Sequence, residues 1–238
     1  MTWSIIARDR ATRAFGVAVA TKFFAVGALC PHASAAGALA TQALVNPTYG
    51  PRGLRLLAEG IGAAQVVAAL VETDAGRDHR QLHVLDRKGL MAAYTGSACI
   101  DWCGHKIAAD HSVAGNMLAG PRVVEDSSGA YADNARLPFA RRLIAALEAG
   151  EAAGGDKRGK QSAALIIYGE EEWPALDLRV DDHADPLAEL ARLERVSRER
   201  FVHFRQFLPT RANPAGVFDR AEIDAGIAAG LATEQAES

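Results

Sequence analysis

The sequence contains few cysteines and no apolar run long enough to cross a bilayer. Three of its 238 residues are cysteines, and an odd number without an export signal argues against a disulfide framework. The N-terminus lacks the basic segment, apolar run and cleavage site of a signal peptide. A transmembrane helix needs about 20 consecutive apolar residues, and no segment of the sequence reaches that length. These absences predict a cytoplasmic protein that does not associate with membranes.

An excess of basic charge is missing too. The chain has 26 lysines and arginines against 29 aspartates and glutamates, a formal net charge of −3, and it contains no basic block. A nucleic-acid-binding surface is therefore not expected. The composition, 49% hydrophobic and 23% charged, is typical of a globular protein with a large core. We predict one domain over residues 1–232, followed by a frayed polar tail at 233–238.

Recognisable metal and nucleotide motifs are also lacking. Cys99, Cys103 and His105 lie close together, but their spacing matches no standard zinc pattern and no second ligand pair follows. A partial metal site is one interpretation of these residues, and small buried apolar thiols are the favoured one. Neither a phosphate loop nor a dinucleotide fingerprint is present. We expect no metal and no cofactor.

The hydrophobic pattern indicates paired strands separated by paired helices. Expected strands cover residues 2–7, 15–21, 36–41, 81–85, 90–95, 162–168 and 175–180, with further short strands within 105–114. Expected helices begin near residues 54 and 66, cover much of 123–149, and run from 186 to about 207 and from 219 to 231. Strict alternation of strands and helices is missing. The pattern therefore predicts an α+β fold with antiparallel sheets.

Thr2 and Lys22 are the first candidate catalytic residues. Removal of Met1 would leave Thr2 with a free α-amine, whose pKa of about 8 suits it to act as a base for its own hydroxyl. An ordinary terminal residue is the alternative interpretation. Lys22 follows the second strand of the expected hairpin, and antiparallel pairing brings it near Thr2. There it would lower the pKa of the hydroxyl or hold a substrate carboxylate, unless it is simply a solvated lysine.

A glycine-rich loop over residues 154–162 is the next candidate. Its glycines permit close approach of another segment, and its charged side chains would suit an anion. We take Asp156, Arg158, Gln161 and Ser162 as candidate substrate-binding residues. A solvated connection between a helix and a strand is the alternative interpretation.

Polar residues at expected strand ends form the last group. Thr41 and Gln42 are candidate substrate-binding residues, and Asn116 is a candidate oxyanion donor, because amide N–H groups stabilise developing negative charge. Taken individually, each is more typical of a turn or a satisfied strand end.

Several of these runs together resemble a bacterial family of unknown function. They include residues 2–9, 16–27, 40–42, 49–54, 94–96, 115–118, 154–165 and 178–183. The Gly-Gly-Asp sequence at 154–156 is the most specific of them. On these runs the chain resembles domain-of-unknown-function family 1028, which is described as similar to the N-terminal-nucleophile (Ntn) hydrolases. The resemblance covers most of the chain up to about residue 205.

The resemblance implies a four-layer αββα sandwich, in which two antiparallel sheets face each other between outer helices. It places the nucleophile of an Ntn hydrolase on Thr2, with Ser4 as a neighbour on the same face of the strand. Lys22 takes a position similar to the strand-end residue that assists a threonine nucleophile. The family supplies no settled substrate.

Two hypotheses of function follow. The first is an amidohydrolase that acts on a small amide, lactam or ureide through Thr2, with Lys22 and Asn116 in support. The second is a non-catalytic scaffold of the same fold that binds a small ligand or forms a homo-oligomer. A minor alternative places the chemistry on Cys30 or on Cys99 and Cys103. Under the first two hypotheses the expected partner is a small molecule, and homo-oligomers are expected.

Overall fold

Strand β1 lies in the middle of a six-stranded antiparallel sheet. The structure, a computed structural model, describes residues 2–237. The strands of this sheet are β1 (Thr2–Arg8), β2 (Phe15–Thr21), β7 (Trp102–Ile107), β8 (His111–Leu118), β9 (Ser162–Tyr168) and β10 (Leu176–Val180). Their order is β10-β9-β2-β1-β8-β7. Thr2 pairs with Thr21 of β2 on one side and with Asn116 of β8 on the other.

A second antiparallel sheet faces the first. Its strands are β3 (Pro31–Ser34), β4 (Gly37–Ala43), β5 (Arg80–Asp86) and β6 (Met91–Thr95), in that spatial order. Ile6 and Val17 of the first sheet pack with Ala38, Ala40 and Leu85 of the second in one buried cluster. Because side chains alternate along a strand, the next residue on each strand faces outward, away from the other sheet.

Helices cover the outward faces of both sheets. Leu39, Leu82 and Val84 pack against the helices α1 (Tyr49–Ala58) and α2 (Ala63–Glu72). On the larger sheet, α3 (Arg122–Asp133) and α4 (Phe139–Ala152) perform this role. Gly16 shows how closely α4 approaches, because a Cβ there would lie 2.6 Å from Cδ1 of Leu143. Cover on both faces explains why every residue of β2 is buried.

The chain divides into two compact units, Met1–Leu190 and Ala191–Ser238. Helix α5 (Pro186–Glu199) begins in the first unit, and the second contains α6 (Phe201–Phe204) and α7 (Arg220–Glu237). In the second unit, Gly226 accommodates the ring of Phe207, since a Cβ there would lie 2.3 Å from it. Within residues 2–237, no helix combines the length and apolar character that a membrane span requires.

The predicted α+β class with antiparallel sheets is confirmed. The helix expected to run from 186 to about 207 is interrupted at Arg200, whose φ of −153° is incompatible with a continuous helix. Strand β3 was not anticipated. Helix α7 extends to Glu237, so it includes most of the segment for which the sequence predicts fraying. The single domain over 1–232 and the Ntn-type sandwich stay predictions.

Asp86, the last residue of β5, links this strand to helix α2. Substitution of Asp86 tests this link. Its buried carboxylate accepts hydrogen bonds from the backbone N–H groups of Ala63, Lys88 and Leu90, at 3.1, 2.9 and 3.0 Å. Asp86→Ala leaves all three donors without this acceptor. We expect the free energy of unfolding to fall by about 2–4 kcal/mol, measured by urea denaturation.

The conservative change Asp86→Asn keeps one side-chain oxygen, so it should cost less than Asp86→Ala. A surface control is Asp126→Ala, which removes an exposed helical ion pair with Arg122 and should cost less than about 1 kcal/mol. Equal effects for Asp86→Ala and Asp126→Ala would contradict the assigned role of Asp86.

Candidate functional site

A chain of buried polar side chains crosses the space between the two sheets. Gln81 lies at its centre, on the inward face of β5. The Nε2 group of Gln81 lies 3.1 Å from the carbonyl oxygen of Gly104 and 2.9 Å from that of Gly115. Carbonyl oxygens can only accept hydrogen bonds, so the amide orientation of Gln81 is fixed. Its Oε1 atom therefore faces Gln42 and Asn116 as an acceptor.

The orientation of Gln81 determines that of Gln42. Nε2 of Gln42 donates to Oε1 of Gln81 at 2.8 Å, which leaves Oε1 of Gln42 as an acceptor. The hydroxyl of Ser4 donates to that oxygen at 2.6 Å. Ser4 also contacts Nε2 of His83 at 3.0 Å. Because Ser4 has one proton and gives it to Gln42, it must accept a hydrogen bond from His83.

His83 is consequently protonated on Nε2. Its other ring nitrogen, Nδ1, lies 3.0 Å from the hydroxyl of Ser112 and accepts from it. Burial lowers the pKa of His83 to about 3, and the charge of nearby His105 acts in the same direction. At neutral pH the ring is therefore uncharged, which agrees with one protonated and one unprotonated nitrogen.

Thr2 lies next to Ser4 on the same inward face of β1. Its side chain is at the first position of the strand and the residue is 7% exposed. Its hydroxyl donates to the hydroxyl of Thr21 at 3.1 Å. On the other side is Asn116, whose Nδ2 donates to Oε1 of Gln81 at 3.0 Å. A primary amide nitrogen carries two hydrogens, so this bond uses one of them.

The glycine-rich loop is tied to the strand ends that hold Thr2. The backbone N–H of Gln161 donates to the carbonyl oxygen of Thr21 at 2.9 Å. The carboxylate of Asp156 accepts from the N–H groups of Lys22 and Arg158, both at 2.8 Å. Ser162 donates to the carbonyl oxygen of Phe23 at 2.5 Å. These bonds anchor the loop against the end of the six-stranded sheet.

The structure gathers some of the predicted site residues and separates others. Thr2, Ser4, Gln42 and Asn116 lie together between the sheets. Thr41 is on the opposite face of β4 from Gln42, and its hydroxyl donates to the carbonyl oxygen of Asn46 at 3.3 Å.

Five more predicted residues lie around the loop. The ammonium group of Lys22 contacts the carbonyl oxygen of Lys160 at 3.4 Å, and the side chain is exposed. Arg158 pairs with Asp156 at 3.2 Å. Gln161 donates to the carboxylate of Asp182 at 3.0 Å. Asp156 and Ser162 thus have anchoring contacts, and their predicted binding role stays a prediction.

Sequence reasoning missed Gln81, His83 and Ser112. The sequence predicts a strand at 81–85, but its alternation of polar and apolar residues is typical of a strand with one face in water. Here the polar face is turned toward the other sheet, and Gln81 and His83 are both fully buried. The signal that would have identified the site is a second strand with a polar face, because two polar faces can pack against each other.

The cysteines show no activation. Burial raises the pKa of Cys30, Cys99 and Cys103, which favours the neutral thiol over the nucleophilic thiolate. His105 is engaged through Nδ1 with the hydroxyl of Thr95 at 3.0 Å. Among the described residues, no three His, Cys, Asp or Glu side chains are grouped to hold a metal ion.

These features define a class: an α+β protein of two facing antiparallel sheets with a buried polar chain between them. The sequence profile of the family of unknown function DUF1028 matches residues 2–190. The chain therefore belongs to the DUF1028 family.

A solved structure is similar over nearly the whole chain. Protein SPO2555 from Silicibacter pomeroyi, whose crystal structure is described with the same family, is 32% identical to the chain. The similarity covers 92% of this chain and 99% of that one, with a TM-score of 0.85. No protein with a curated functional description matches the chain.

The inferred proton positions predict the tautomer of His83. At neutral pH we expect the proton on Nε2, read from its two ring ¹⁵N chemical shifts. His111 is the internal control, because its Nδ1 lies 2.9 Å from the carboxylate of Asp110 and should carry the proton. A His83 ring protonated on Nδ1 would contradict the assigned directions of its bonds to Ser4 and Ser112.

The lowered pKa of His83 predicts a pH dependence of stability. The unfolded chain takes up a proton near pH 6.5, whereas the folded chain does so near pH 3. The contribution of His83 is therefore complete above pH 6.5 and decreases as the pH falls through this range. Within this range the free energy of unfolding falls by about 1.4 kcal/mol for each pH unit.

His83→Gln removes the titrating group while keeping one donor and one acceptor. We measure the free energy of unfolding with urea between about pH 4 and 6.5. We expect it to depend less steeply on pH in this variant than in the parent chain. Circular dichroism at neutral pH checks that the variant is folded. Identical slopes for the two proteins would contradict the assignment.

Proposed function

We propose that the chain is an amidohydrolase of the Ntn type, with the αββα sandwich of that superfamily and Thr2 as its nucleophile. The observation that carries the proposal is the position of Thr2 at the start of a central strand. Its hydroxyl is on the inward face, 3.1 Å from that of Thr21, and its backbone pairs with Asn116. A nucleophile in a rigid strand between two others is held in a fixed geometry.

The chemistry requires cleavage of the peptide bond before Thr2. The freed α-amine then accepts the hydroxyl proton, directly or through a water, while Oγ1 bonds to the amide carbon of the substrate. The C–N bond breaks as the ammonium returns its proton to the leaving amine. Water hydrolyses the resulting ester on Thr2 and releases a carboxylic acid. Each step balances with water as the co-reactant.

Asn116 and Lys22 have supporting roles in this proposal. The second amide hydrogen of Asn116, beyond the one given to Gln81, would donate to the oxyanion. The ammonium group of Lys22 contacts the carbonyl oxygen of Lys160. Lys22 would therefore act on Thr2 through its positive charge near the strand end. Ser4 and Gln42 hold the neighbouring face through their 2.6 Å bond, so their proposed contribution to substrate binding is indirect.

The proposed substrate is a small amide, lactam or ureide. The candidate binding groups around the loop are Asp156, Arg158, Gln161 and Ser162, and Thr41 is less suited because of its outward face. We also retain the expectation of a cytoplasmic protein that forms homo-oligomers.

A second candidate function is a non-catalytic scaffold of the same fold that binds a small ligand or another copy. Phe23 and Phe24 favour it, because they follow Lys22 directly and are 55% and 60% exposed. Exposed aromatic residues beside a site are typical of contact surfaces. The two candidates differ in whether Thr2 reacts.

Covalent labelling distinguishes them without knowledge of the substrate. A β-lactone presents a strained carbonyl to a nucleophilic hydroxyl. We expect one adduct per chain, located on Thr2 by peptide mapping, in protein whose intact mass shows a free Thr2 amine. Thr2→Ala should abolish labelling, and Thr2→Ser should retain it, because a serine hydroxyl is also a nucleophile.

Ser4→Ala is the matched control, since Ser4 is a neighbouring hydroxyl on the same face but fully buried. Labelling should persist in folded Ser4→Ala. A chain with a free Thr2 amine that forms no adduct, or a chain in which the residue before Thr2 is always retained, would favour the scaffold.

A further inference from the structure

A pocket lies at the opposite end of β1 from Thr2. The β1–β2 turn, the β5–β6 turn and the β7–β8 turn converge there around a cavity of about 490 Å³. The lining residues are Arg8, Asp9, Arg10, Arg13, Lys88, Gly89, Ala109 and Asp110. Six residue-to-residue steps along the strand separate Arg8 from Thr2, a distance of roughly 20 Å. The pocket is therefore distinct from the candidate site between the sheets.

The two acidic residues of this pocket are already engaged. The carboxylate of Asp9 accepts from the N–H of Ala11 at 3.2 Å and from the hydroxyl of Thr12 at 2.7 Å, within its own turn. Asp110 pairs with Arg10 at 3.2 Å and contacts Nδ1 of His111 at 2.9 Å. Both carboxylates therefore already have partners.

Three cations of the pocket have no carboxylate partner. In the described part of the chain, no ion pair is formed by Arg8, Arg13 or Lys88. The Nε atom of Arg8 is buried and has no hydrogen-bond partner, a state that costs free energy unless a ligand satisfies it. The lining carries four cations and two carboxylates, so a bound anion would offset its net positive charge.

The backbone of the turns is shaped to keep these cations in place. Arg13 has a φ of +62°, a left-handed conformation that favours glycine over a side chain of this size. Gly89 has a φ of +86°, and a Cβ there would lie 3.4 Å from Nη1 of Arg8. The absence of a side chain at Gly89 thus leaves room for the guanidinium of Arg8, which lies 5.7 Å from the ring of Phe15.

We infer that this pocket binds a small oxyanion with at least two negative charges, held by Arg8, Arg13 and Lys88. Guanidinium groups bind phosphate and carboxylate oxygens in pairs, and lysine adds a point charge. Phosphoryl groups and polycarboxylates share this chemistry. A cavity of about 490 Å³ suits a small molecule.

Isothermal titration with pyrophosphate and, separately, with citrate tests the inference on the full chain. We expect saturable binding of one or both at one site per chain. The double variant Arg13→Gly/Lys88→Gln should weaken the affinity about tenfold or more for each cation removed. Arg13→Gly also relieves a left-handed conformation, and circular dichroism checks that the double variant is folded.

Arg87→Gln is the matched control, because Arg87 is an exposed cation of the same β5–β6 turn that does not line the pocket. Its affinity should equal that of the parent chain. Binding of pyrophosphate alone identifies a phosphoryl ligand, and binding of citrate alone identifies a polycarboxylate. Binding of neither, or equal loss in Arg87→Gln and in the double variant, would overturn the inference.

Discussion

The hydrogen bonds from Gln81 to two backbone carbonyl oxygens determine the polar arrangement between the sheets. They fix one amide, and that amide fixes Gln42, then Ser4, then the tautomer of His83. Buried polar groups are costly unless each finds a partner. Because each member of this chain has a hydrogen-bond partner, the chain specifies the register of the facing sheets more strictly than apolar packing would.

The fold was predictable where one physical signal dominates. Strand β2 is nearly continuous in apolar residues because helices cover one of its faces and the other sheet covers the second, and such runs are read correctly. The interrupted helix at Arg200 was not predictable, because the break lies in one residue's backbone conformation. Its neighbours continue the amphipathic pattern, so periodicity shows no interruption.

The candidate site was predictable only in part, for a different reason. Thr2 and Asn116 were identified one at a time, because they are far apart in the sequence. The pairing of β1 with β8 makes them neighbours. Gln81 and His83 were missed because alternation does not say whether a polar face meets water or another polar face. Only the packing of the two sheets distinguishes these cases.

The two ends of strand β1 differ in their electrostatic environment. Near Thr2 every described polar group of the inter-sheet chain has a neutral partner, and burial keeps His83 uncharged, so the region tolerates a low dielectric. At the other end of β1, Arg13 and Lys88 are exposed on the adjoining turns, where their charge is screened. A neutral end suits a reaction whose only charge develops in the transition state. A cationic end suits a ligand that carries its charge permanently, which is why we assign different roles to the two ends of β1.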